Sequence, residues 1–275
     1  MRETKVGVAC GRKRIGKTFT TLQQIDDYVR GNPAEGIIGR KALVFDVNNE
    51  FSQIPHIGIN QIKLFSVHPT IEARRILPFF ANGEKMTLND LADTLQIILR
   101  DFSGGLLLIE DINKYISDSQ PNDLIGAICT NAHSDVDIIM HYQALGRLTP
   151  KMWQNINWVR FHKNSSSIDS IKNKLDEKYE IFKLTEYMIN HQYQIGNTRY
   201  YLYIDLDIEK IKGLYTREMF VDAIENYLAV TTNYNRIVAP LINKKVKFEG
   251  KKFGKEEAIK EIITDKLKQY TGFDK

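Results

Sequence analysis

Gly11-Arg12-Lys13-Arg14-Ile15-Gly16-Lys17-Thr18 satisfies every fixed position of the pattern G-x-x-x-x-G-K-[ST]. The chemistry of that spacing is anion capture. The glycines allow a tight turn in which successive backbone N–H groups, and the positive end of a following helix, face a polyphosphate. Lys17 would reach the β- and γ-phosphates, and the Thr18 hydroxyl would ligate Mg²⁺. Nucleotide contacts are expected from Gly11, Arg12, Lys13, Arg14, Ile15, Gly16, Lys17, Thr18 and Phe19. The competing reading is a glycine-containing turn whose Lys17 is merely exposed.

Hydrolysis would need three further groups: an acid near the metal, an orienter for water, and positive charge on the transferred phosphoryl group. The apolar run Leu106-Leu107-Leu108-Ile109 ends in Glu110-Asp111, the strand-then-acids form of a Walker B element. By position Glu110 takes the metal role and Asp111 the base role. The common order is Asp then Glu, so the pair is inverted. Alternatively Asp111 only caps the turn into Ile112-Asn113-Lys114. Gln143, just past a predicted strand, is placed to bond the γ-phosphate or the lytic water. Among the arginines, Arg147 is the first choice for a finger acting in trans, with Arg160 and the Arg74-Arg75 pair behind it. Each could equally be a surface ion pair. Asp46-Val47-Asn48-Asn49-Glu50-Phe51 adds a second acidic stretch. Either Asp46 or Glu50 sits near the nucleotide, or the segment is an Asx-rich turn bonded to its own backbone.

These groups need a scaffold, and the pattern supplies one. Strand and helix periodicities alternate to about residue 163, which predicts an α/β fold with a parallel sheet covered on both faces. Lys5–Cys10 reads as a strand, Thr18–Val29 as a helix, Lys41–Asp46 as a strand, and Ile62–Phe65 as a short third strand. Thr87–Phe102 reads as a helix with Thr87 and Asp90 as a capping box. Leu106–Ile109 fits a central parallel strand. A helix over Pro121–Ala132, a strand over Val136–His141, a short helix over Pro150–Asn155 and a strand over Trp158–Phe161 follow. Beyond them come helices over Ile168–Lys174, Glu180–Tyr193 and Thr216–Leu228, and a strand over Arg199–Asp205. Pro240–Gly254 is Lys- and Gly-rich and reads as a linker. Gly254–Tyr270 reads as an amphipathic helix with Ala258, Ile259, Ile262, Ile263 and Leu267 on one face.

The 275 residues suffice for one large α/β domain with an appendage. The expected division is a 1–235 body and a 236–275 basic extension. Two cysteines, Cys10 and Cys129, are too few for a disulfide framework and lack metal-ligand spacing, which points to a reducing compartment. Histidines 56, 68, 133, 141, 162 and 191 show no zinc spacing. No signal peptide is expected, and no run of about 18 apolar residues predicts a membrane span. From Leu241 to Lys275 ten lysines stand against six acids, which accounts for the whole net charge of +4. Two readings of that tail are open: contact with an anionic partner such as nucleic acid, or solvation of one helix face.

Taken together, the Gly11–Thr18 loop, the Asp46–Phe51 segment, Leu107–Asp111 and Gln143 resemble the FtsK–HerA superfamily of P-loop ATPases. Tyr142–Pro150 followed by Trp153–Val159 is similar to the sensor stretch of its viral genome-packaging branch. Gln154 stands where that branch often has arginine, and Asn49 replaces a glycine of the second motif. The resemblance covers residues 5–163, extending toward Asp205. It implies a P-loop NTPase sheet of the RecA/ASCE kind, with the Gln143 strand between the loop strand and the Walker B strand. It further implies ATP and Mg²⁺ as cofactors and a homo-oligomeric ring, hexamer or pentamer, that translocates double-stranded DNA. A capsid or portal-like viral protein would be a further partner, and the setting the host cytoplasm or the virion. Two other functions are a zonula-occludens-toxin-like phage assembly ATPase and a nucleotide-gated structural protein with little turnover.

Overall fold

A computed structural model describes residues 3–115, 126, 128 and 135–273. The expected helix over Pro121–Ala132, Cys129 and His133 therefore lie outside the described residues. The chain divides into two compact units, residues 1–160 and 161–275.

The first unit is built on buried strands. β1 (Val6–Cys10) leads through the glycine loop into α1 (Lys17–Arg30). β2 (Lys41–Phe45) is followed by α2 (Ile62–Val67), β3 (Ala73–Ile76) and α3 (Leu88–Asp101). β4 (Gly105–Ile109), β5 (Val136–Tyr142), the short α4 (Pro150–Trp153) and β6 (Trp158–His162) complete it, the last two residues of β6 opening the second unit. The strands lie in the order β6-β1-β5-β4-β2-β3, with β1/β5, β5/β4, β4/β2 and β2/β3 parallel. Every residue of β2, β4 and β5 is buried, as expected for near-continuous apolar strands covered on both faces. β5 thus lies between the phosphate-loop strand and the Glu110-Asp111 strand, the order that the resemblance implies.

Packing follows from the period-two alternation of the strands. Ala42, Val44, Leu106, Leu108 and Ile139 cluster with Ile25 of α1, Phe51 and Ile54. Their alternates Leu43, Phe45, Leu107 and Ile109 are fully buried as well, so both faces are covered. Phe45 meets Tyr115 edge-on at 5.7 Å between ring centroids. At Gly7 a Cβ would lie 2.0 Å from the Trp158 ring, so only glycine lets β6 close onto β1. The capping box is present: Thr87 Oγ1 accepts from Asp90 N, and Thr87 N donates to Asp90 Oδ2 at 2.8 Å.

Two sequence expectations are corrected. Ile62–Phe65 is helical. Ile62 and Phe65 are the buried pair of α2, three residues apart as helix packing requires. The strand expected there is Ala73–Ile76, whose two central arginines break the apolar alternation. The linker expected over Pro240–Gly254 is helical through Phe248. Pro240 lies inside a helical run that begins at Thr231, directly after the wide π-helical turn Tyr234–Val238, the kind of local adjustment that goes with a proline in a helix interior.

The second unit holds α5 (Tyr179–Gln194), the hairpin strands β7 (Tyr201–Asp205) and β8 (Lys210–Lys212), α6 (Arg217–Ala229), α7 (Ala239–Asn243) and α8 (Lys255–Tyr270). Ala258, Ile262, Ile263, Leu267 and Tyr270 of α8 are buried. Lys266 pairs with Glu180, and Tyr270 Oη donates to the same carboxylate at 3.0 Å. Part of the basic tail is thus structural. Among the described residues no helix is long and apolar enough to cross a membrane.

Overpacking a filled site costs about 1–3 kcal/mol. Gly7→Ala is therefore expected to lower unfolding stability in urea by that amount or more, whereas an unchanged midpoint would contradict the β1–Trp158 packing.

Candidate functional site

The site forms at the carboxyl ends of β1, β5, β4 and β2, where parallel α/β sheets place their ligands. The loop leaves β1 at Gly11, whose N–H donates to Tyr142 O at 3.2 Å. Gly16 caps α1 in the left-handed region at φ 89°, a conformation that costs glycine nothing. Arg12, Lys13 and Arg14 are exposed, Ile15 is buried, and Phe19 is exposed. Lys17 Nζ folds back onto its own loop, donating to Gly11 O at 2.5 Å and Arg12 O at 2.9 Å. Burial lowers its pKa, and the negative groups at Cys10, Asp111 and Glu50 oppose that shift.

Thr18 Oγ1 donates to Glu50 Oε2 at 2.8 Å. Asp46 is bonded to its own segment. It accepts from Glu50 N at 2.8 Å and Phe51 N at 3.0 Å, and from buried Arg75 at 2.8 Å. Asp46 thus makes the backbone-bonded turn, while Glu50 is bonded to the loop through Thr18.

Glu110 and Asp111 differ sharply in environment. Glu110 Oε2 accepts from Asn48 N at 3.0 Å. Burial pushes its carboxyl up to about 8, and the nearby Glu50 and Asp46 carboxylates add to the shift. Asp111 sits in the left-handed region at φ 42°, a conformation worth noting in a non-glycine residue beside a site. Burial pushes its pKa up, but donors from Asn48, Lys114 and Gln143 overcome this and leave it lowered. Asn48 Nδ2 lies 3.0 Å from Asp111 Oδ2, and Lys114 Nζ 3.0 Å from the same oxygen. Lys114 also donates to Asn48 Oδ1. Gln143 Nε2 approaches Asp111 at 3.4 and 3.5 Å.

The sequence expectations meet this geometry unevenly. Lys17, Thr18, Glu110, Asp111 and Gln143 are brought together. Arg147 is exposed on the turn Leu145–Arg147 and has no ion pair among the described residues. The other finger candidates are corrected. Arg160 is fully buried beneath α1, bonded to Gln24 Oε1 at 2.9 Å and to Thr21. Arg75 is tied to Asp46 and Asn49, and Arg74 to Glu72. All three are bonded to partners within the chain. His141 accompanies Arg160 below the loop, with Nε2 2.8 Å from Thr21 Oγ1. Burial, and then Arg160 and Lys17, hold its pKa well below the usual value. Sequence reasoning assigned no role to Asn48 and Lys114. The only signal was their position, Asn48 two residues after Asp46 and Lys114 three after Asp111.

The donors here are oxygens, the Thr18 hydroxyl and the Glu50 and Glu110 carboxylates, which is the chemistry a hard divalent cation takes, but among the described residues no group of three or more His, Cys, Asp or Glu side chains is arranged to hold a metal ion. For an acid whose folded pKa is raised, the folded state keeps a proton that the unfolded chain loses. Stability therefore falls as pH rises from 4.5 to about 8. Without nucleotide or divalent cation, Glu110→Gln is expected to remove this slope, so that at pH 8.5 the variant is more stable than wild type by roughly 2 kcal/mol or more, with little difference at pH 4.5. Parallel pH profiles would contradict the buried-acid assignment.

No protein-family model matches the sequence, and no curated protein matches it. Solved structures do match in fold. The genome packaging NTPase B204 from Sulfolobus turreted icosahedral virus 2 in complex with AMP aligns with 14% identity, 78% of this chain, 99% of that chain and a TM-score of 0.52. The same NTPase in complex with AMPPCP aligns with 16% identity, 76% of this chain, 95% of that chain and a TM-score of 0.51. B204, the DNA-packaging ATPase from Sulfolobus Turreted Icosahedral Virus, aligns with 14% identity, 77% of this chain, 97% of that chain and a TM-score of 0.50. The protein has a P-loop NTPase fold of the kind seen in B204.

Proposed function

We propose that this protein is an ATP-hydrolysing DNA translocase of the FtsK–HerA superfamily, a viral genome-packaging motor working as a homo-oligomeric ring on double-stranded DNA. The observation that carries the proposal is the convergence of Lys17, Thr18, Glu50, Glu110, Asp111 and Gln143 at four adjacent strand ends. The B204 likeness supports the cargo. Lys17 would exchange the Gly11 and Arg12 carbonyls for phosphate oxygens. Thr18 and Glu110 would hold Mg²⁺, which supplies charge neutralisation at the phosphates. Asp111 would polarise the attacking water, and Gln143 would orient it against the γ-phosphate. Arg147, exposed on the turn after β5, would reach the site of a neighbouring copy and neutralise the transferred group. The assignment of 1–235 as ATPase body and 236–275 as extension belongs to the same proposal, as do a capsid or portal-like partner and a setting in host cytoplasm or virion.

A second reading is favoured by one observation. Asp111 is saturated with donors from Asn48, Lys114 and Gln143, as in a site that binds nucleotide and turns over slowly. Such a protein would be nucleotide-gated rather than a motor.

Steady-state ATPase assays with and without double-stranded DNA test the motor. DNA is expected to accelerate wild type, and Lys17→Ala to abolish activity in both conditions. Arg147→Ala is expected to lower kcat by about 10³-fold, the order seen for arginine fingers, with ATP affinity retained. An oligomeric wild type whose rate ignores DNA sinks the translocase reading, and an unchanged kcat removes Arg147 from the site.

A further inference from the structure

The lysine-rich segment read as a linker is folded, and its folding gathers charge. Lys244–Phe248 forms a single wide helical turn. The chain then reverses at Gly250 and is closed by two backbone hydrogen bonds, Glu249 N to Lys244 O at 3.2 Å and Lys251 N to Lys245 O at 3.0 Å. The reversal lays Lys251-Lys252 beside Lys244–Lys247. Six lysines and one acid fall between residues 244 and 255. Three of those lysines are committed within the unit. Lys245 lies 3.3 Å from Glu261 and packs over the Phe253 ring, Lys251 lies 2.8 Å from Glu249, and Lys255 sits over the Tyr234 ring. Lys244, Lys247 and Lys252 are exposed and have no ion pair among the described residues. Among them stands Phe248, 84% exposed, four residues after Lys244 and so adjacent to it on the turn.

Three exposed cations without an ion pair among the described residues, around one solvent-facing ring, match a strand of nucleic acid better than either component would alone. Lysines pair with successive phosphates, and an aromatic face stacks on a base without regard to its sequence. A duplex satisfies the lysines but hides its base faces, so it leaves Phe248 unused. A membrane surface would reward a broader apolar face, whereas the only other exposed apolar side chain on this turn is Val246, at 44%.

We propose that the 244–252 turn is a single-strand nucleic-acid contact, in which Lys244, Lys247 and Lys252 bind phosphates and Phe248 stacks on an unpaired base. It goes beyond the translocase reading, whose cargo is double-stranded, and it stands on charge and exposure in the second unit alone.

The test is equilibrium binding of a labelled single-stranded oligonucleotide by the full chain over a range of salt concentrations. Replacing Lys244, Lys247 and Lys252 together by glutamine is expected to weaken binding at least tenfold and to flatten the slope of log affinity against log salt by about 2, three phosphate contacts at about 0.7 each. Phe248→Ala is expected to weaken single-strand binding about fivefold or more, leaving the salt slope and duplex binding unchanged. All four side chains are exposed, and matching thermal unfolding curves verify folding. Unchanged single-strand affinity and slope in the triple variant overturn the proposal. So does a Phe248 effect equal on single and double strands, or a triple variant that loses only binding to vesicles of phosphatidylglycerol and phosphatidylcholine. ATP hydrolysis is measured separately: absent hydrolysis with an intact oligonucleotide signature defeats the motor reading and not this one.

Discussion

Four carboxylates, Asp46, Glu50, Glu110 and Asp111, are brought to the ends of two neighbouring strands beside the Gly11–Thr18 loop. Holding that much negative charge partly out of water is the constraint that the rest of the first unit answers. Each is answered differently. Asp46 takes the buried Arg75 guanidinium and two backbone N–H groups. Glu50 takes the Thr18 hydroxyl. Asp111 takes Asn48 and Lys114. Glu110 receives a backbone N–H and is pushed toward its protonated form. A low-dielectric pocket makes an unmatched charge costly, and such an imbalance is what bound cations and phosphates resolve at functional sites.

Holding those groups in place is the work of the layers below. The parallel pairing of β1, β5, β4 and β2 fixes the separation of the loop, Gln143 and the acids to within the register of the strands. Ile25 and the cluster around it anchor α1 to one face of the sheet. Arg160, Thr21 and His141 tie the underside of the first helical turn to β5 and β6. Burial, and after it the field of Arg160, lowers the His141 pKa. That arrangement gives the loop a fixed polar floor of hydroxyl, imidazole and guanidinium rather than a purely apolar one.

Much of this was legible in the sequence, for identifiable reasons. The phosphate loop and the Glu110-Asp111 element are local: each needs one strand and the residues after it. Continuous apolar runs such as Leu106–Ile109 admit few other environments. β3 was hidden because Arg74 and Arg75 occupy its centre, one paired with Glu72 and the other turned to Asp46. Lysine is a good helix former, so the composition of 240–254 did not forbid helix, and only Gly250 and Gly254 break it. The roles of Asn48 and Lys114 were out of reach for a different reason. They depend on β2 lying beside β4, which no residue near Asn48 announces.

The central claim is that the acids turn a phosphate-binding loop into a hydrolysis site. Single-turnover cleavage of γ-labelled ATP, with enzyme in excess and Mg²⁺ present, tests it directly by comparing wild type with Asp111→Asn. The account predicts cleavage by wild type and a loss of about 10²-fold or more in the variant, the scale of a general base, at equal ATP affinity. Equal rates in the two proteins, or tight binding without cleavage in wild type, would contradict it.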